Sequence, residues 1–299
     1  MPNEITVSRF GHILFPVDFS DRSRAAAPFV HSMAGRYGSR VTLLHAVQLP
    51  SPVYSGMDAI YPPTYRHDEI RDEILAKLEE FRDSQLPRLG AHCVVEFGDP
   101  AGVIVDFAHA NRAALIALPT HGYGVFRRLL LGSVTSKVLH DATIPVWTSA
   151  HCPEPSHRAH PLPRHVLCAL DLKPDSLRVL ELAIEIASDT TAALEIVHAA
   201  PEGYAQSEND PARAIEIRIR ELLEAAGQAE LIKLEPERQT EYPPVCNQGD
   251  VAKFVREIAI LRRSDLVIIG RGQIQHTLGQ LHPNSYAIVR ESPCPVLSL

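Results

Sequence analysis

No stretch of this 299-residue chain reaches the ~18 consecutive apolar residues that a membrane-spanning helix needs. Its first residues, MPNEITVSRFGHILF, carry Glu4 and lack the long apolar core of a secretion signal. A soluble, cytoplasmic protein with no membrane partner is the expectation. Lys/Arg-rich runs are missing too, and the formal net charge is -7, so nucleic acid is not expected as a partner. The five cysteines, Cys93, Cys152, Cys168, Cys246 and Cys294, form no Cys-x-x-Cys pair and are odd in number, which fits structural thiols better than a metal or redox centre.

Catalytic and nucleotide fingerprints are also missing. The first apolar run is followed by FPVDFSDRS, with neither G-x-G-x-x-G nor G-x-x-x-x-G-K-[ST], so the dinucleotide and P-loop modes do not apply. No paired carboxylates, no serine-centred nucleophile elbow and no histidine-rich metal motif stand out. No catalytic residue and no metal-ligand set is assigned on this reading.

What the chain does have is an internal repeat. The stretch 13-ILFPVDFSDRSRAAAPFVHSMAGRYGSRVTLLHAV-47 lies over 166-VLCALDLKPDSLRVLELAIEIASDTTAALEIVHAA-200, with Asp18 on Asp171 and His45 on His198 at an offset of 153. Further on, 98-GDPAGVIVDFAHANRAALIALP-119 lies over 249-GDVAKFVREIAILRRSDLVIIG-270 at an offset of 151. Pro145 falls on Pro295 at an offset of 150. Two domains are expected, residues 1–150 and 165–299, joined by the linker 151-HCPEPSHRAHPLPR-164. His151, Cys152, His157 and His160 lie in that linker, whose four prolines prevent a helical ligand face.

Within each copy, short apolar runs alternate with segments of helical spacing. The runs 13-ILFPV, 41-VTLLHAV, 92-HCVVEF and 114-ALIALP read as buried strands, and residues 21–38, 68–84 and 100–111 as helices. Strands apolar on both faces argue for a parallel sheet covered by helices. The predicted fold class is α/β: two tandem doubly wound domains, each a five-stranded, mostly parallel sheet with helices on both faces. Ser20 is expected to cap the first helix, and Pro174 to suit the first turn of its counterpart.

In such a sheet, ligands bind beyond the carboxyl ends of the strands, where strand order reverses. Asp18 closes the first strand, and 115-LIALPTHGYGVFRRLLLGS-133 leads from the fourth strand to a helix over 134–141. Gly122, Gly124 and Gly132 let backbone N–H groups approach an oxyanion, and Ser133, placed to cap that helix, adds a hydroxyl. Asp18 serves either as a partner of a ribose hydroxyl or phosphate-bound Mg2+, or as a cap of the next helix. Arg127 and Arg128 read as solvated connector residues or as phosphate contacts. His45 and His198 read as satisfied edge histidines rather than bases, and His121 as a residue of the turn itself.

These residues carry a resemblance. The first copy resembles the universal stress protein family, whose ATP-binding members have G-x-x-G, nine residues, then G-[ST], with an Asp ending the first strand. Gly122, the nine residues 123-YGVFRRLLL-131, Gly132, Ser133 and Asp18 match. Pro119 stands at the family's first glycine, and in the second copy His282 and Pro283 stand where Gly132 and Ser133 stand. The likeness implies an adenine nucleotide alpha hydrolase-like fold. It also implies ATP with Mg2+ held by Asp18, Ala46, Pro119, His121, Gly122, Gly132 and Ser133, with at most slow hydrolysis. As partners it implies the second copy, paired through 145-PVWTSA-150 and 295-PVLSL-299 as a pseudo-dimer within one chain, with a homodimer as a further option. A scaffold that binds no nucleotide and acts through protein partners is the alternative.

Overall fold

Apolar β-branched runs bounded by turn residues become strands where both faces are covered, and the strands follow the sequence closely. In the computed structural model, which describes residues 9–48, 67–120, 131–150, 162–173, 175–198, 211–225, 251–271 and 283–299, the first repeat forms β1 (His12–Pro16), α1 (Asp21–Tyr37), β2 (Arg40–Val47), α2 (His67–Gln85), β3 (His92–Phe97), α3 (Pro100–Ala110), β4 (Leu115–Leu118), α4 (Ser133–Asp141) and β5 (Val146–Thr148). The second repeat forms β6 (His165–Leu170), α5 (Ser176–Thr190), β7 (Ala193–His198), α6 (Pro211–Ala225), α7 (Val251–Leu261), β8 (Leu266–Ile269), α8 (Pro283–Glu291) and β9 (Val296–Ser298). The stretch 226–250, which includes Cys246, Gly249 and Asp250, lies outside the described residues, as do the linker residues 151–161 and Pro174.

The chain divides into two compact units; among the described residues Ser133 and Ile144 fall in the first, and Leu131, Gly132 and Pro145 in the second. In the first unit the strands run parallel in the order β3-β2-β1-β4. Because order reverses at β1, right-handed crossovers put α1 and α2 on one face and α3 and α4 on the other. The middle strands are sealed: Ile13, Leu14 and Phe15 of β1, Leu43 of β2 and Leu115 and Ile116 of β4 are each fully buried. Burying a side chain of this size contributes about 1.5–3 kcal/mol, which is why these runs fix the sheet.

Helix boundaries obey local chemistry. Ser20 caps α1 as expected, accepting the N–H of Ser23 at 3.3 Å, and Gly38 ends it at φ +62°, a left-handed backbone that glycine adopts without a Cβ penalty. Asp99 caps α3, accepting the Gly102 N–H at 3.1 Å.

In the second unit the order is β5-β9-β8-β6-β7, with β6, β7, β8 and β9 parallel. β5, the last strand of the first repeat, belongs to this unit and pairs antiparallel with β9: Val146 faces Ser298, Trp147 faces Leu297 and Thr148 faces Val296. The Thr148 and Ser298 hydroxyls each donate to a carbonyl of the opposite strand, Val296 and Val146, at 3.3 Å. The thiols of Cys168 and Cys294 are free and buried; burial pushes Cys168 far above the usual thiol range and Cys294 up to about 12. Among the described residues, no helix is long and apolar enough to cross a membrane.

Candidate functional site

In the first unit Asp18, Ala46 and Pro119 lie at the carboxyl ends of β1, β2 and β4, and Ser133 opens α4. β1 ends at Pro16, and the chain turns through Val17, Asp18 and Phe19 into α1. Asp18 Oδ1 accepts three hydrogen bonds, from the Ser20 N–H at 3.0 Å, the Ser20 hydroxyl at 2.6 Å and the Ser23 hydroxyl at 2.6 Å. Those donors tie the end of β1 to the first turn of α1. Of the two roles open to Asp18, the helix-anchoring one is therefore present. Asp18 is half-buried, and among the described residues no hydrogen bond reaches its Oδ2.

The turn is strained. Phe19 sits at φ +63°, a region costing a bulky L-residue on the order of 1 kcal/mol or more, and its counterpart Leu172 sits at φ +54°. Phe19 packs its ring on His45 at a centroid distance of 4.8 Å. His45 Nδ1 and the Val17 carbonyl oxygen lie 2.6 Å apart, so Nδ1 carries the proton and β2 is laced to the end of β1. The histidine is thus the satisfied edge residue that the sequence suggests. Ala46, the next residue of β2, is half-buried and pairs in register with Glu96 of β3.

β4 delivers Pro119 and Thr120, both buried, to the same edge. The Pro119 carbonyl accepts the buried hydroxyl of Thr135, on α4, at 2.9 Å. His121, Gly122, Gly124, Arg127 and Arg128 lie outside the described residues. Gly132 is half-buried, and the exposed Ser133 is the first residue of α4. That position corrects the expected capping role of Ser133: Gly132 occupies the residue before the helix, and Ser133 contributes one of the N–H groups that an α-helix leaves unpaired in its first turn.

Two further groups, both on α4, lie outside the glycine motif. Lys137 of α4 places its ammonium 2.8 Å from Oδ2 of Asp99, the α3 cap. The Lys137 hydrogen bond and then the Gly102 N–H hold the Asp99 carboxyl below its usual range, and the same pair raises Lys137. The signal for Thr135 was in the repeat: Ser285, at an offset of 150, donates to the carbonyl of Gly270 at 2.9 Å, as Thr135 does to Pro119.

The second unit repeats the scaffold and differs in its chemistry. Asp171 Oδ1 accepts the Ser176 hydroxyl at 2.8 Å and the Lys173 N–H at 3.2 Å, and its Oδ2 pairs with the Lys173 ammonium at 3.3 Å. Burial would raise this carboxyl, yet those donors outweigh it and hold Asp171 below its usual range. Both oxygens are thus occupied from within, in contrast to Asp18. His198 Nδ1 bonds the Leu170 carbonyl at 2.9 Å, repeating His45 and Val17.

A family model described as the universal stress protein family matches residues 9–149 and, a second time, 163–299. The chain belongs to the universal stress protein family. It carries two tandem copies of that domain. A universal stress protein of Thermus aquaticus is 32% identical over 141 residues, covering 46% of this chain and 96% of that protein. One of Mycolicibacterium smegmatis is 31% identical over 137 residues, covering 45% of this chain and 44% of that protein. The crystal structure of a universal stress protein from Archaeoglobus fulgidus, 21% identical, superposes with a TM-score of 0.66 over 96% of this chain and 95% of that one, which shows the shared fold.

Proposed function

We propose that this universal stress protein binds ATP or a related adenine nucleotide in its first domain as a regulatory ligand, with residues 1–150 as the binding domain, 151–164 as linker and 165–299 as a partner domain that has lost the site. The observation that carries this reading is Asp18. One of its oxygens is spent on the fold and the other is left bare, on the same sheet edge as the exposed Ser133 that opens α4. The first turn of α4 supplies unpaired N–H groups and the positive end of a helix dipole, which suit a phosphate.

The residues present fit the group. Mg2+ takes one or two carboxylate oxygens and completes its shell with phosphates and water, a role open to Asp18 Oδ2. Pro119 has no N–H to give a phosphate, but its carbonyl is engaged by Thr135, so the proline costs the site one donor and leaves the strand-to-helix tie intact. His121, Gly122 and Gly132 complete the set by the family pattern, with Ala46, which follows His45 on β2.

Calorimetric titration of the nucleotide-free full chain with ATP tests the reading. One site per chain is expected, lost in Gly132→Trp, where an indole fills the space the glycine leaves. Heat-silent titration and no adenine nucleotide in the purified protein would instead leave a scaffold that works through protein partners.

A further inference from the structure

The two units, compared position by position, act as a control on each other. Three devices occur in both: the aspartate that binds a helix hydroxyl (Asp18 with Ser23, Asp171 with Ser176), the histidine bonded to a strand-end carbonyl (His45 with Val17, His198 with Leu170), and the helix hydroxyl on the next strand end (Thr135 with Pro119, Ser285 with Gly270). The second copy has His282 and Pro283 in place of Gly132 and Ser133, so whatever survives there serves the fold. A charged group lost together with the Gly-Ser pair is a candidate for the ligand.

Lys137 meets that condition. At the offset of 150 that aligns Thr135 with Ser285, the other charged or titratable positions of α4 stay so, His140 becoming Arg290 and Asp141 becoming Glu291, whereas Lys137 becomes Ala287. Lys137 lies one turn after Ser133 and therefore on the same helix face. Helical side chains lean toward the N-terminus, which carries its ammonium back to the first turn of α4. The contact with Asp99 confirms the direction, since Asp99 follows β3 and so stands at the carboxyl edge of the sheet. Both partners are more than half exposed, at 54% and 56%, and an exposed pair of this kind adds little to stability. The fold has little need of the contact, and the ammonium can exchange one oxyanion for another at small cost.

We propose that Lys137 binds the phosphate end of the nucleotide, leaving the Asp99 carboxylate for a phosphate oxygen, and that Asp99 sets the affinity by competing for it. This rests on the nucleotide reading above. It gives the site a cation from outside the glycine motif and makes the preference for a polyphosphate over a nucleoside a property of α4.

Titrations of the full chain with ATP and with adenosine, each with a melting curve of the same sample, test it. Lys137→Gln is expected to weaken ATP about tenfold, the scale of a hydrogen bond to a charged group, and to leave adenosine unchanged. Lys137→Arg restores most of the loss. Asp99→Asn, which keeps an acceptor for the Gly102 N–H, tightens ATP. If Lys137→Gln fails to fold, Lys137→Met takes its place. Wild-type ATP affinity in the Gln or Met variant, or equal losses for ATP and adenosine, overturns the proposal while the nucleotide reading stands. A wild-type chain that binds neither ligand overturns the nucleotide reading and this proposal with it.

Discussion

Thr135 donates its hydroxyl to the carbonyl oxygen of Pro119 across 2.9 Å, and both residues are buried. The bond joins the end of β4 to α4. It uses only the carbonyl of residue 119, so proline serves as well there as the glycine of the second copy, Gly270. Thr135→Val keeps the shape and removes the donor, leaving a buried carbonyl unsatisfied. A loss of about 1–3 kcal/mol is expected in urea unfolding, with Thr135→Ser close to wild type.

Gly98 supplies a second test of the same edge. Its φ is +149°, and an added Cβ would stand 2.9 Å from Cγ2 of Val103, so alanine meets both strain and overlap. Gly98→Ala should cost roughly 1–3 kcal/mol and loosen the turn that carries Asp99. Gly35, inside α1 with nothing within 4 Å of its would-be Cβ, is the internal contrast. Gly35→Ala should be neutral or stabilise by up to about 1 kcal/mol, read in the same melting experiment.

Strands, helices and the repeat were legible in the sequence because each rests on local pattern: apolar runs for β1 to β4, a Ser cap for α1, a shared Asp and His at one offset. What the pattern could not separate was the use made of a residue with two possible partners. Asp18 could be read as anchor or ligand because one carboxylate can do both, and only the three donors on Oδ1 show that the first role is filled. Lys137 was invisible for a related reason: one lysine on a helix face is ordinary, and its meaning comes from Asp99, 38 residues away. Ser133 moved from cap to first helical residue, a shift of one position that spacing does not resolve.

His12, at the opposite end of β1, ties stability of the first unit to pH. It is buried, with Nε2 2.9 Å from the Thr42 hydroxyl and Nδ1 3.1 Å from the Asn111 carbonyl and 3.0 Å from Nη2 of Arg40. Burial lowers its pKa most, the Asn111 carbonyl opposes that, and the Arg40 guanidinium adds to the lowering. The unfolded chain takes up this proton near pH ~6.5 and the folded chain only at lower pH. The stability from neutral His12 is therefore full above about pH 6.5 and is lost as pH falls through the folded-state value. Melting temperatures from pH 7.5 to 5 should fall less steeply in His12→Gln than in wild type.

Asp18 can be made to reveal its two roles separately. Asp18→Asn keeps an oxygen at Oδ1 for Ser20 and Ser23 and turns the bare Oδ2 into an amide, which donates and cannot ligate Mg2+. Asp18→Ala removes both oxygens, and the hydroxyls of Ser20 and Ser23 lose their acceptor at the start of a helix whose cap, Ser20, follows a residue already held at positive φ, Phe19. The alanine variant should therefore be destabilised by roughly 1–3 kcal/mol, and the asparagine variant by less than about 1 kcal/mol. If the nucleotide is held as proposed, both lose Mg2+-dependent ATP binding although only one loses stability. Equal stability losses in urea unfolding would mean that the carboxylate charge, and not the oxygen at Oδ1, holds the turn. Undiminished ATP binding by the asparagine variant would remove Asp18 from the ligand side of the site and leave it an anchor, as Asp171 is in the second unit.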